Sequence, residues 1–143
     1  MSTRVSILVG DLRFIARLET ARCPQTCAIF VEHLPFAGKL IQVRWSGEAA
    51  WVPLGGTPLG AALRELENAT SHPAPGELLL YPGGVSEPEL LLAHGATAFS
   101  SRSGPLAGNP FLAITDGHEY LIELGRRVLW EGAQEIRCQL TEG

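Results

Sequence analysis

Charge is scarce in this chain. Asp, Glu, Lys and Arg make up 18% of 143 residues, below the roughly 25% of an ordinary soluble domain. The 11 basic residues are outnumbered by 15 acidic ones, for a net charge of −4, and they are scattered, with no basic patch. Nucleic acid is therefore not an expected partner. No apolar run approaches the ~18 residues that a spanning helix needs, so no membrane partner is expected. Met1-Ser2-Thr3-Arg4 leads straight into alternating residues without the apolar core of a signal peptide, and a cytoplasmic location is expected. Cysteine is sparse as well: Cys23, Cys27 and Cys138 are odd in number, and the first pair has C-x₃-C spacing. Buried reduced thiols are the better reading than a redox or zinc site. His33, His72, His94 and His118 make no H-x-H, H-x-x-H or H-E-x-x-H pattern. No P-loop, dinucleotide fingerprint or G-x-S-x-G motif is present. Neither a metal nor a cofactor is expected.

Glycine and proline, by contrast, are plentiful: 26 of 143 residues, 19 of them between Gly47 and Gly117. Many turns favour many short strands. The chain is long enough for one domain, 1–143, with a full hydrophobic core. Val5, Ile7 and Val9 alternate, as do Leu12, Phe14, Ala16 and Leu18, and Gly10-Asp11 between them marks a hairpin. Cys27, Phe30, Val31 and Leu34 form a helical stripe between Pro24 and Pro35, which predicts a helix over 24–34. Residues 39–54 read as a second hairpin with a Ser46-Gly47 turn. That register sets Gln42 opposite Trp51 and puts Trp45 and Trp51 on opposite faces, with Arg44 and Trp51 diagonal on one face. Thr57-Pro58 opens a helix with the stripe Leu59, Ala62, Leu63 and Leu66. Residues 77–81 read as a strand. Ser86-x-x-Glu89 is a capping box, which predicts a short helix ending near Gly95. Short strands at 97–100 and 111–115, a loop at 101–110, a helix at 119–130 and a closing strand at 136–140 complete the reading. About eight strands suit a closed barrel or a sandwich, because closure removes exposed edges.

Three segments carry a resemblance: Arg44-Trp45-Ser46-Gly47-Glu48-Ala49-Ala50-Trp51-Val52-Pro53-Leu54, then Leu80-Tyr81-Pro82-Gly83-Gly84-x-Ser86-Glu87, then Gly104-x-x-Ala107-Gly108-Asn109-x-Phe111. In this order and spacing they resemble an uncharacterised bacterial family with a cyclophilin-like fold, domain of unknown function 3830. The resemblance spans nearly the whole chain. It implies an α+β, mainly β protein: a closed eight-stranded antiparallel barrel capped by helices. Set beside true cyclophilins, which are prolyl isomerases, Arg44 matches their catalytic arginine, Asn109 stands near their glutamine and Phe111 near a pocket phenylalanine. Trp45-Ser46-Gly47-Glu48 replaces the phenylalanine-rich segment after that arginine, and the Trp-Leu-Asp-Gly-Lys-His motif is missing. Family membership brings no established activity.

The candidate ligand-binding residues are Arg44, Glu48, Trp51, Tyr81, Glu87, Asn109 and Phe111. Arginine offers a planar fork of donors to a carboxylate or carbonyl; an outward arginine stacked on Trp51 is the plainer alternative. Glu48 is either an acceptor for a ligand or a solvated turn residue. Glu87 and Glu89 also suit the acidic first turn of a helix. The glycines after Tyr81 let backbone approach a ligand or simply form a tight turn. Asn109 either presents its amide or makes a turn. These residues come from separate glycine-rich segments, the pattern of a cleft with a few convergent polar groups. The leading expectation is a non-catalytic or auxiliary barrel binding a small carboxylate, amide or ureide. The alternatives are a weak peptidyl-prolyl isomerase, a hydrolase or isomerase using Glu48 or Glu87 as base, and an interaction subunit of a small-amide-metabolising enzyme. A homodimer or a partner enzyme is the corresponding expectation for assembly.

Overall fold

The computed structural model describes residues 3–141. The chain runs β1 (Arg4–Val9), β2 (Leu12–Leu18), α1 (Pro24–Glu32), β3 (Phe36–Gln42), β4 (Gly47–Pro53), α2 (Pro58–Ala62), β5 (Glu77–Tyr81), β6 (Glu89–Thr97), β7 (Ser100–Ser101), β8 (Gly104–Pro105), β9 (Asn109–Asp116), a 3₁₀ turn (His118–Tyr120), α3 (Leu121–Trp130) and β10 (Gln134–Leu140). Eight strands close a barrel in the order β1-β10-β3-β4-β6-β5-β9-β2, every pair antiparallel. Closure leaves no long free edge in the barrel. No helix among the described residues is long and apolar enough to cross a membrane.

The period of two in the sequence becomes the barrel interior. Val5, Ile7 and Val9 stand opposite Ala16, Phe14 and Leu12 across the first hairpin. Leu78 and Leu80 stand opposite Leu92 and Leu90. All are buried in one cluster with Leu112, Ile114, Ile136 and Cys138. The helices contribute Phe30 and Cys27 from α1, Leu59 from α2, and Leu121, Leu124 and Val128 from α3 to the same cluster. α1 follows the Leu18 end of β2, whereas α3 reaches the turn end of that hairpin, where Arg127 pairs with Asp11.

A second, smaller cluster lies outside the barrel. Ala49, Leu79, Tyr81 and Leu91 point away from the interior and are buried against Phe99 and Leu106, with Val43 and Trp51 packed alongside. The segment 98–108, which holds the two-stranded β7–β8 ribbon, forms this cover. Strands β4, β6 and β5 are therefore apolar on both faces.

Three expectations change. The helix from Ser86 to Gly95 does not form; its residues are β6 and the turn before it. Leu90-Leu91-Leu92-Ala93 is continuous because both faces of the strand are covered, and such a run cannot be told from a buried helix by periodicity. The strand expected at 97–100 is thus the end of β6 and the start of the ribbon, and the loop at 101–110 carries β8. The barrel has eight strands, but β6 lies where a helix was expected. α2 stops at Ala62, and Leu66 is exposed. In the β3–β4 hairpin, Trp51 pairs with Ile41 and not with Gln42, because residues 43–46 form a longer connection than a two-residue turn.

All three cysteines are free and buried. Burial pushes the Cys27 and Cys138 thiols up to about 12 and the Cys23 thiol up to about 11. The thiolate is the reactive form. The native protein should therefore leave an aromatic disulfide reagent unreacted near pH 8 and release three equivalents of thiol only on unfolding. Rapid labelling of one thiol in the native state would contradict this.

Candidate functional site

The outer face of β3, β4 and β6 carries a cavity of about 400 Å³. Its floor is Ile41, Trp51 and Glu89. Its walls come from three connections: Val43 to Ser46 after β3, Val85 to Glu87 before β6, and Ser100 to Ser103 in the ribbon. Trp51 faces Leu91 across the β4–β6 ladder, one step from the Pro53–Glu89 end, so the indole and Glu89 lie diagonally on one face.

Side chains hold the walls in place. Ser46 is buried, and its hydroxyl donates to the Ser100 carbonyl (3.1 Å) and accepts from the Ser100 N–H (2.9 Å). This ties the first wall to the ribbon. Tyr81 is buried edge-on against Phe99, and its hydroxyl accepts from the N–H groups of Val85 (2.9 Å) and Ser86 (3.4 Å). That contact holds the remaining wall to the outer cluster.

Of the seven candidate residues, the fold brings Arg44, Trp51 and Glu87 together at the cavity. Arg44 is not mid-strand but in the β3–β4 connection, exposed, and among the described residues it makes no ion pair or hydrogen bond. Trp45 lines the same cavity as Trp51: strand alternation does not carry across a connection that has left the ladder.

The other four lie elsewhere. Tyr81 supports the wall from beneath. The Glu48 carboxylate accepts from the Ala96 N–H (2.8 Å) and its carbonyl from the Thr97 hydroxyl (3.0 Å), which serves polar groups left over by the β4–β6 bulge. Phe111 is fully buried in the barrel, edge-on to Phe30 with ring centroids 4.8 Å apart. Asn109 is buried in a network at the start of α1. Its Oδ1 accepts from the Glu67 N–H (2.7 Å), and its Nδ2 donates to the Thr26 hydroxyl (3.0 Å) and the Glu65 carbonyl (2.8 Å). Glu67 in turn accepts from the Gln25 and Thr26 N–H groups and the Thr26 hydroxyl. It caps a helix whose own N-cap, Cys23, offers no side-chain bond. Burial disfavours the Glu67 charge, but those three hydrogen bonds outweigh it and hold the carboxyl below its ordinary range.

The site also contains residues outside the seven. Glu89 is 7% exposed, and no described residue donates a hydrogen bond to its carboxyl. Burial, helped by the neighbouring Glu87 charge, pushes Glu89 up to about 8. The Gln42 amide donates to the Gly47 carbonyl (3.2 Å), while its Oε1 is buried without a donor, as is the Ser86 hydroxyl without a partner. Arg102 stands on the ribbon wall with no ion pair among the described residues. A glutamate abutting a four-residue apolar run was the signal in the sequence; the capping-box reading concealed it.

Two of the three family-like segments thus build this cavity, Arg44 to Trp51 and Tyr81 to Glu87. The family model described as a protein of unknown function, DUF3830, matches residues 5–140. The chain belongs to the DUF3830 family. No curated protein matches it in sequence. Among solved structures, this DUF3830 chain is similar to McbB in complex with tryptophan, with 17% identity and a TM-score of 0.77, covering 97% of this chain and 45% of that one. The chain therefore spans about half the length of McbB. It is also similar to the hypothetical protein AF2241 from Archaeoglobus fulgidus (16%, TM-score 0.65, covering 98% and 95% of the two chains). A cyclophilin type peptidyl-prolyl cis-trans isomerase from Cryptosporidium parvum is similar too (13%, TM-score 0.61, covering 100% and 99%). At these identities the likeness is one of fold, and the fold is cyclophilin-like.

Two outcomes test the division of roles in the DUF3830 barrel. Asn109→Ala leaves the Glu67 N–H and the Thr26 hydroxyl short of a partner and should cost roughly 1–3 kcal/mol in denaturant unfolding; a change below 0.5 kcal/mol would contradict the structural role. Glu89 holds a proton in the folded state that the unfolded chain releases above its ordinary value of 4.5. Stability should therefore fall as pH rises from about 4.5 to about 8. Glu89→Gln should remove that slope and raise stability by on the order of 3 kcal/mol near pH 8. Parallel pH profiles for the two proteins would contradict the buried, protonated carboxyl.

Proposed function

We propose that this protein is a non-catalytic or auxiliary small-ligand-binding barrel, and that its ligand carries a carboxylate, amide or ureide group held at the outer-face cavity. One observation carries the reading: Arg44 lines a cavity with Trp45 on its wall and Trp51 in its floor, and its guanidinium is committed to no other group among the described residues. A guanidinium offers five donors in a plane, and a planar acceptor beside an indole wall satisfies both its charge and its shape. The volume of about 400 Å³ falls in the range of roughly 300–1,000 Å³ usual for small-molecule sites. The tryptophan complex of McbB supports the reading by fold-level analogy: tryptophan is an aromatic carboxylate of suitable size.

A weaker second reading, residual prolyl isomerisation, draws on the same arginine and its apolar wall. Asn109 and Phe111, the other positions with cyclophilin counterparts, lie away from the cavity. Equal background rates of prolyl-peptide isomerisation in wild type and Arg44→Ala would end this reading.

A thermal-shift screen against tryptophan and small carboxylates, amides and ureides tests the main reading. A ligand at a hundredfold excess over its Kd stabilises the folded state by about 2.7 kcal/mol, which for a chain of this size corresponds to a rise in Tm of roughly 5–10 °C. Arg44→Ala should weaken the hit by roughly 10- to 100-fold, the worth of a charge-assisted hydrogen bond. Equal shifts in both proteins would place the ligand elsewhere.

A further inference from the structure

One buried carboxyl in the cavity has no partner. Glu89 is nine-tenths buried on the outer face with no hydrogen-bond donor among the described residues, and the exposed Glu87 stands two residues away on the cavity wall. A carboxyl in such a place is costly unless it is paired. The obvious internal partners, Arg44 and Arg102, also line the cavity, yet neither pairs with Glu89 or Glu87 among the described residues. The cavity therefore has one unpaired carboxyl in its floor and a guanidinium rim, with indole surface beside them.

We propose that Glu89 is the receptor for a protonated nitrogen of the ligand, so that the ligand is an amino-carboxylate with an apolar body. This rests on the carboxylate reading of Arg44 and extends it. An ammonium brings three donors and one positive charge to the buried Glu89 carboxyl, with the exposed Glu87 carboxylate on the adjoining wall. The carboxylate then lies toward the guanidinium rim, and the apolar body lies between Trp45 and Trp51.

The proton on Glu89 gives this arrangement a signature. The groups that surround it are Glu87 on its own wall, Arg44 and Arg102 on the facing connections, and Tyr81, its neighbour across the β5–β6 ladder, whose hydroxyl already serves Val85 and Ser86. No histidine lines the cavity. Glu89 holds its proton up to about pH 8, so a bound ammonium displaces that proton to solvent. Affinity should rise about tenfold per pH unit up to about pH 8 and level off above it.

Titration calorimetry with L-tryptophan, tryptamine and indole-3-propionate separates the outcomes. Expected is that tryptophan binds more tightly than either half-ligand, that its affinity rises from pH 6 to pH 8, and that about one proton is released per ligand near pH 7. Glu89→Gln keeps the shape of the protonated acid and should fold. It should weaken tryptophan and tryptamine at least tenfold more than indole-3-propionate and flatten the pH dependence. If indole-3-propionate binds through Arg44 as tightly as tryptophan, with no pH dependence, the cation site is wrong and the carboxylate site stands. If tryptamine binds and Glu89→Gln does not weaken it, the cation sits elsewhere. If none of the three probes binds at millimolar concentration, both readings fail.

Discussion

Strand β6 carries leucine and alanine on both faces, and a strand of that kind has to be covered twice. The barrel interior covers one side through Leu90 and Leu92. The segment 98–108 covers the other by laying Phe99 and Leu106 over Leu79, Tyr81 and Leu91. Each fully buried side chain of this size is worth roughly 1.5–3 kcal/mol, so the outer cover is held in place by burial. Where that cover stops, the outer face of β4 and β6 stays partly open. The cavity is this margin, and its floor inherits the rigidity of two paired strands.

The same margin explains the chemistry of the floor. Glu89 is the first residue of β6 and shares its face with Leu91, so strand geometry turns its carboxyl to the outer face, beside the turn at 85–87. Nothing local neutralises it, because the arginines are mounted on separate connections. Ionic pairs in the rest of the molecule are conventional and exposed, as in the Arg126–Glu123–Arg127 cluster on α3, where each pair is worth little in water.

Much of the barrel was legible in the sequence. The first hairpin and the inward stripe of α3 follow from plain periodicity, since one face of each is buried and the other solvated. β6 did not follow, because double burial erases alternation, and a serine and a glutamate three residues apart imitate a helix start. The site was legible in part. Arg44, Trp51 and Glu87 could be named because they sit in segments of unusual composition. Asn109 and Glu48 share that composition for structural reasons: one joins the network that caps α1, the other fills a bulge. Glu89 was hidden by the helix reading, and its place on the cavity floor follows from the pairing of β6 with β4, far away in sequence. The 19 glycines and prolines of the middle stretch do not line the cavity; they are spread over turns at several places around the barrel, such as Gly76 beside His118 and Gly117 beside Phe14.

The two ways in which the walls are fastened have a mechanical consequence. The Ser46 hydroxyl joins the β3–β4 connection to the ribbon through a donor and an acceptor bond to one residue, so these two segments form one jaw. The turn at 82–86 forms the other, moored by a single phenolic oxygen whose ring is locked in the outer cluster. Among the described residues no hydrogen bond crosses the seam between the jaws. The spacing of the jaws is thus set from behind, by a serine on one side and a phenol on the other, and neither anchor belongs to the surface a guest would touch first.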